Sequence, residues 1–193
     1  VVPENVKTRI TIASFIAIPL ISKVYRLKYS IENFDKLQHQ DVIMASAQTA
    51  GRGRKDRKWS SETGGLYFTV VLKPNNPKME NISSLTQIMA ISVCKAVRKL
   101  GAKAYLKWPN DVLLNGAKVS GMLLEKGEGN FIIVGIGVNI VAYPQDAGLL
   151  YPATSLRKAG INISAEEFLH LYLQKFDSNL IKWRQKGIEN LQQ

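Results

Sequence analysis

The sequence predicts an α+β domain: a mixed, largely antiparallel β-sheet with helices packed on one face. Three observations carry this prediction. Apolar periodicity changes often along the 193 residues, alternating between strand-like and helix-like spacing. Two amphipathic helical patterns flank a compact series of short strand patterns. Between two of those strands, Asn115-Gly116 is a strong hairpin turn signal. The regular strand–helix alternation of a doubly wound fold is missing, and so are the GxxxxGK[ST] and GxGxxG phosphate loops.

The elements follow in order. Ile10–Ile21 is an apolar run containing Ser14 and Pro19. It is too short to span a bilayer and lacks a clear small-residue cleavage site after it, so it reads as a packing segment. Asp41–Ala47 and Gly65–Lys73 read as strands, the second rich in aromatic and β-branched residues. Ser84–Leu100 reads as an amphipathic helix with Leu85, Ile88, Met89, Val93, Ala96 and Leu100 on its apolar stripe. Ser83 or Ser84 would cap its start and Gly101 would end it.

Ala104–Trp108 is a short strand, and Val112–Leu114 with Lys118–Glu125 form the two arms of the hairpin. Phe131–Ile140 is an apolar strand whose end carries Gly135, Gly137 and Asn139. Small residues there mark a place where something approaches the backbone closely. The last helix, about Ala165–Gln185, opens on Ser164 and Glu167 in capping-box spacing. Phe168, Leu169, Tyr172, Leu173, Phe176 and Leu180 supply its buried face.

Composition narrows the partners without choosing one. A net charge of +11 and an isoelectric point near 9.8 call for an anionic partner: a nucleotide, a nucleic acid or an acidic protein. The single cysteine, Cys94, lies among Ile91, Val93 and Val97 and reads as a buried thiol. No disulfide within the chain is possible, which fits a reducing compartment. Two separated histidines and no Cys/His cluster argue against a structural zinc site.

Gly51-Arg52-Gly53-Arg54-Lys55-Asp56-Arg57-Lys58-Trp59 packs five cations, two glycines and a tryptophan into nine residues. Glycine backbone N–H groups approach ligands closely, guanidinium forks match phosphate or carboxylate oxygens, and an indole stacks on flat rings. The same run would also serve as a solvated surface or a nucleic-acid patch. Lys107-Trp108-Pro109-Asn110-Asp111 offers an ammonium to phosphates, and an amide or carboxylate to a metal or ribose. Its plainer reading is a polar turn between strands. Lys118-Val119-Ser120-Gly121 adds a third cationic segment.

Taken in order and spacing, Gln48-Thr49-Ala50 with GRGRKDRKW, Lys107–Asp111 (KWPND) and Lys118–Gly121 closely resemble the catalytic domain of biotin protein ligases. Gly64-Gly65-Leu66-Tyr67, Gly135–Asn139 and Ala153-Thr154-Ser155-Leu156 agree as well, so the resemblance covers roughly Val24 to Trp183. It implies the biotin/lipoate protein ligase catalytic-domain type of fold and a two-step acyl transfer. Biotin carboxylate attacks the α-phosphorus of ATP to give biotinyl-5′-AMP and pyrophosphate. A lysine of a biotin carboxyl carrier protein then attacks the mixed anhydride and releases AMP. The resemblance further implies Mg²⁺, a cytoplasmic setting and no membrane association. Nucleic acid is not an expected partner, and a homodimer is compatible.

By position in that resemblance, Ser30, Gln48, Gly51, Arg52, Gly53, Arg54, Lys118 and Gly121 would bind biotin. Arg52, Arg54, Arg57, Lys58, Trp59, Lys107, Asn110, Asp111, Lys118 and Asn139 would serve ATP, with Asp111 the metal ligand. Lys118 and Arg54 would be the catalytic pair, Lys118 bridging biotin carboxylate and α-phosphate and Arg54 closing over the intermediate. The chain reads as one catalytic domain over residues 1–193, with a poorly matched segment 1–22. No N-terminal helix-turn-helix domain and no C-terminal small β-barrel is expected in it.

Two positions depart from the resemblance. Asp56 stands where glycine is usual and adds negative charge near the phosphates. Ile31 stands where threonine would give the pocket a polar contact. The competing readings are a lipoate or octanoate ligase-like enzyme on the same fold, which lacks the GRGR…KW pattern, and a basic nucleic-acid-binding module. Against the second, aromatic and basic residues do not interleave along one stripe.

Overall fold

In the computed structural model of the chain, the described residues are 11–12, 23–27, 41–55, 57–72, 82–126, 131–145, 149, 151–188 and 191. They hold the strands β1 (Thr11–Ile12), β2 (Lys23–Leu27), β3 (Asp41–Ala45), β4 (Leu66–Leu72), β5 (Ala104–Lys107), β6 (Asp111–Leu114), β7 (Ala117–Lys126) and β8 (Ile132–Val138). The helix α1 (Ile82–Lys99) lies between β4 and β5, and α2 (Ala165–Lys186) follows β8. All the strands join one sheet in the order β1-β2-β3-β4-β8-β7-β6-β5. Only β2 and β3 pair parallel, so the sheet is mixed and largely antiparallel, as the sequence predicts.

Alternation along β3, β4 and β8 sorts the side chains onto two unlike faces. One face carries Val42 and Met44 from β3, Leu66, Phe68, Val70 and Leu72 from β4, and Ile132, Val134, Ile136 and Val138 from β8. These residues form a single cluster with the buried stripes of both helices. Phe68 meets Tyr172 edge-on with ring centroids 4.9 Å apart, and Tyr172 stacks on Phe176 at 6.0 Å. Each fully buried side chain of this size contributes about 1.5–3 kcal/mol. The cluster is therefore what fixes the sheet in place.

Between the helices, Asn179 donates to Ser92 Oγ at 2.9 Å and accepts from Lys95 Nζ at 3.3 Å. Burial and the neighbouring cations Lys182, Arg98 and Lys175 push the Lys95 ammonium pKa down. Cys94 is free and buried, and burial raises its thiol to about 11, which makes it unreactive.

Local signals behave as the sequence predicts at most ends. Asn115 and Gly116 both have positive φ (51° and 81°), the geometry that a tight hairpin requires. Ser164 and Glu167 form the reciprocal capping box of α2. The start of α1 differs. The helix begins at Ile82, so Ser84 lies inside its first turn and neither Ser83 nor Ser84 is the cap. The start lies two residues before the predicted one, within the latitude that helix ends have. Of the apolar run Ile10–Ile21, only Thr11–Ile12 lies within the described residues, as strand β1. No helix among the described residues is long and apolar enough to cross a membrane.

Candidate active site

The second face of the sheet buries Ile43, Tyr67 and Val71 but carries no side chain at the centre of β7 and β8. One register row crosses five strands: Tyr67 of β4 pairs with Gly137 of β8, which pairs with Gly121 of β7, then Asp111 of β6 and Lys107 of β5. Paired residues share a face. The middle of the row is therefore a floor of two glycines, with a carboxylate beside it.

The floor is occupied by Trp59. A Cβ placed on Gly137 would lie 2.5 Å from Trp59 Nε1, and one on Gly121 would lie 3.0 Å from the indole Cζ3. No side chain fits under the ring, which is the physical reason for glycine at both positions. Trp59 Nε1 is buried and has no hydrogen-bond partner among the described residues.

Lys118 completes the cluster through an irregularity. Alternation from Gly121 would turn Lys118 toward the helices, but the β6–β7 register shifts between Val112 and Leu113. Val119 and Ser120 both face inward and are fully buried, and Lys118 emerges on the site face opposite Leu113. Its Nζ then lies 2.7 Å from Asp111 Oδ1 and 5.0 Å from the Trp59 ring centroid. The ion pair is largely shielded, with side-chain exposures of 26% for Lys118 and 17% for Asp111. A cation, a carboxylate and an indole thus converge above the glycine floor.

The basic run is a folded-back hairpin, which the sequence does not announce. The Trp59 N–H donates to the Gly51 carbonyl at 2.9 Å and the Gly53 N–H to the Arg57 carbonyl at 2.6 Å, with Arg52 and Lys58 bridged between them. At its neck the Gln48 N–H donates to the Ser61 carbonyl at 3.1 Å, and Ser61 Oγ donates to Gln48 Oε1 at 2.7 Å. Arg54 donates to Asn110 Oδ1 at 3.3 Å, tying the hairpin to the Lys107–Asp111 turn. Asn110 Nδ2 in turn donates to the Met122 carbonyl at 2.8 Å. Arg57 Nε donates to the Arg54 carbonyl at 3.2 Å.

Not every expected residue joins the cluster. Arg52 reaches along β7 to Glu125 at 2.9 Å, and Lys107 Nζ sits over the Tyr151 ring. Asn139 is buried, its amide donating to the carbonyls of Thr154 at 2.9 Å and Lys118 at 3.4 Å. It holds the backbone of Lys118 from behind, together with the Lys118–Ala153 bridge. Ser30, Ile31 and Asp56 lie outside the described residues.

Sequence reasoning passes over Ser61, Glu125 and Tyr151. Each touches a predicted site residue, but 13, 73 and 44 positions away respectively, so no local pattern reveals them. No group of three or more His, Cys, Asp or Glu that could hold a metal occurs among the described residues. A single carboxylate at Asp111 would fit a hard divalent cation such as Mg²⁺ only if substrate phosphates and water supplied most of its ligands.

Comparison with known proteins gives a consistent result. The biotin/lipoate A/B protein ligase family matches residues 18–139. The biotin–[acetyl-CoA-carboxylase] ligase of Paracoccus denitrificans is 37% identical over 146 residues, 69% of this chain and 60% of that protein. The bifunctional ligase/repressor BirA of Bacillus subtilis is 36% identical over 111 residues, 54% of this chain and 34% of that protein. The structure of biotin protein ligase from Aquifex aeolicus in complex with biotin and ATP superposes with a TM-score of 0.74 at 33% identity. That match covers 85% of this chain and 72% of the Aquifex chain. The chain thus spans between a third and two thirds of the length of these two curated relatives.

Proposed function

The chain belongs to the biotin/lipoate A/B protein ligase family, and from that premise we propose that it is an ATP-dependent biotin protein ligase. The observation that carries the reading is the Lys118–Asp111–Trp59 cluster over the Gly121/Gly137 floor. It combines a fixed cation and a flat aromatic face seated on glycine backbone, where two anions and a purine must be brought together.

In the first step a biotin carboxylate oxygen forms a bond to the α-phosphorus of ATP, and the bond to the pyrophosphate oxygen breaks. Negative charge develops on the equatorial oxygens. The Lys118 ammonium, freed from Asp111 as the ligand arrives, stabilises that charge and holds the biotin carboxylate against the phosphorus. Asp111, with the substrate phosphates, would hold Mg²⁺, which neutralises phosphate charge when bound. Arg54 and the hairpin backbone close over biotinyl-5′-AMP and keep water from the anhydride. In the second step the neutral amine of an acceptor lysine on a biotin carboxyl carrier protein attacks the acyl carbon. AMP leaves, and the amine proton passes to solvent or to AMP.

Gln48, Gly51 and Gly53 line the biotin side in this reading, with Ser30 from outside the described residues. Arg57, Lys58, Lys107 and Asn110 serve the phosphates, and Asn139 positions Lys118. A cytoplasmic setting accords with the single unreactive thiol. The test is biotin-dependent exchange of pyrophosphate into ATP, followed by labelling of a purified carrier domain. Exchange and labelling are expected. Salt-sensitive DNA binding without exchange would remove the proposal.

A further inference from the structure

We propose that Ser61 is a positioning residue for biotin: its hydroxyl fixes which end of the Gln48 carboxamide faces the ligand. The inference rests on the ligase reading above and adds to it a residue that does not itself touch the reacting atoms.

Ser61 is only 6% exposed, whereas Gln48 stands in the open. Ser61 Oγ lies 2.7 Å from Gln48 Oε1 and 3.3 Å from the Trp59 carbonyl oxygen. A hydroxyl has one hydrogen to give, and the shorter contact takes it. Holding Oε1 leaves the two N–H groups of Nε2 as the unclaimed end, since no hydrogen bond among the described residues uses them. The amide therefore presents donors, which suit an acceptor oxygen of biotin.

The backbone strengthens the argument. The Gln48 N–H also donates to the Ser61 carbonyl at 3.1 Å, so both residues are locked at the neck of the hairpin that ends in Trp59. Without the hydroxyl, an exposed glutamine with three freely rotating torsions would have to be ordered by the ligand itself, at a cost in affinity. The signature of such a role is a change in biotin binding that passes through Gln48.

Steady-state exchange assays on the full chain test this. Ser61→Ala should raise the KM for biotin about tenfold, with kcat and the KM for ATP within about twofold. Ser61→Thr, which keeps the hydroxyl, should restore most of the loss. The double variant Gln48→Ala/Ser61→Ala should be no weaker than Gln48→Ala alone, because the serine would then have nothing to orient. Additive losses in the double variant would overturn the inference. So would a joint fall in kcat, ATP affinity and melting temperature that Ser61→Thr leaves uncorrected, since this is the pattern of a purely structural hydroxyl. Ser61→Cys serves where Ser61→Ala fails to fold. Biotin-dependent exchange with an unmoved biotin KM overturns this inference alone, whereas no biotin-dependent exchange in the unaltered protein removes the ligase reading as well.

Discussion

The two faces of one sheet do opposite work in this protein. Strands β7 and β8 supply both. On the helix side they present Met122, Val134, Ile136 and Val138, packed into the cluster with Phe68, Tyr172 and Phe176. On the site side the same strands present Gly121 and Gly137, which leave the backbone bare for Trp59. The helix face provides the stability that lets two glycines stand on the site face beneath Trp59. A pleated strand can separate these tasks because neighbouring residues point in opposite directions.

Removing the charge from the site face should give the largest effect. Lys118→Ala is expected to lower the exchange rate by about 10³-fold through loss of a preorganised cation. The circular dichroism spectrum should stay unchanged, while unpairing the shielded Asp111 carboxylate should lower the melting temperature by only a few degrees; a near-normal rate would remove its assigned role. On the helix face, Phe176→Ala should cost about 3–4 kcal/mol in urea unfolding, since the ring is almost fully buried against Tyr172. Exchange per folded molecule should persist there, and a selective loss of activity would show that the two faces are coupled.

Filling the floor is a milder intervention on the site face. Gly137→Ala puts a methyl 2.5 Å from Trp59 Nε1, so the indole must move. About 100-fold loss of exchange is expected from that displacement, with unfolding free energy nearly preserved. Unaltered kinetics would mean that the Trp59 position is immaterial to the reaction. The smallest effect belongs to Tyr172→Phe. The Tyr172 hydroxyl is buried without a hydrogen-bond partner among the described residues, and burial raises its pKa far above the ordinary value. Deleting it should leave stability unchanged or raise it by about 1 kcal/mol, read as the urea midpoint. A clear destabilisation would reveal a partner for the oxygen.

The helix face was legible from the chain because its signals are local. Stripes such as Phe168–Tyr172–Phe176 recur at helical spacing, and Leu66–Phe68–Val70 alternate at strand spacing. The site was legible only as an ordered set of segments. The resemblance to biotin ligases assigns Gln48, Trp59, Asp111 and Lys118 to substrate binding, and the fold brings the last three together. Nothing in the sequence showed that Arg52 would pair with Glu125, or that Ser61 would hold Gln48. Strand β2 also went unmarked, though Val24-Tyr25 carries a modest β signal and its parallel pairing with β3 is what makes the sheet mixed.

The sequence by itself determined which residues are apolar, where turns fall and which segments carry cations, because each depends on a residue and its near neighbours. Tertiary structure alone decided on which face those residues appear. Lys118 is the clearest case. Simple alternation would have turned it inward, and the shift of register opposite Val112 and Leu113 turns it out to Asp111. That shift is a property of two strands paired together, and no single strand encodes it.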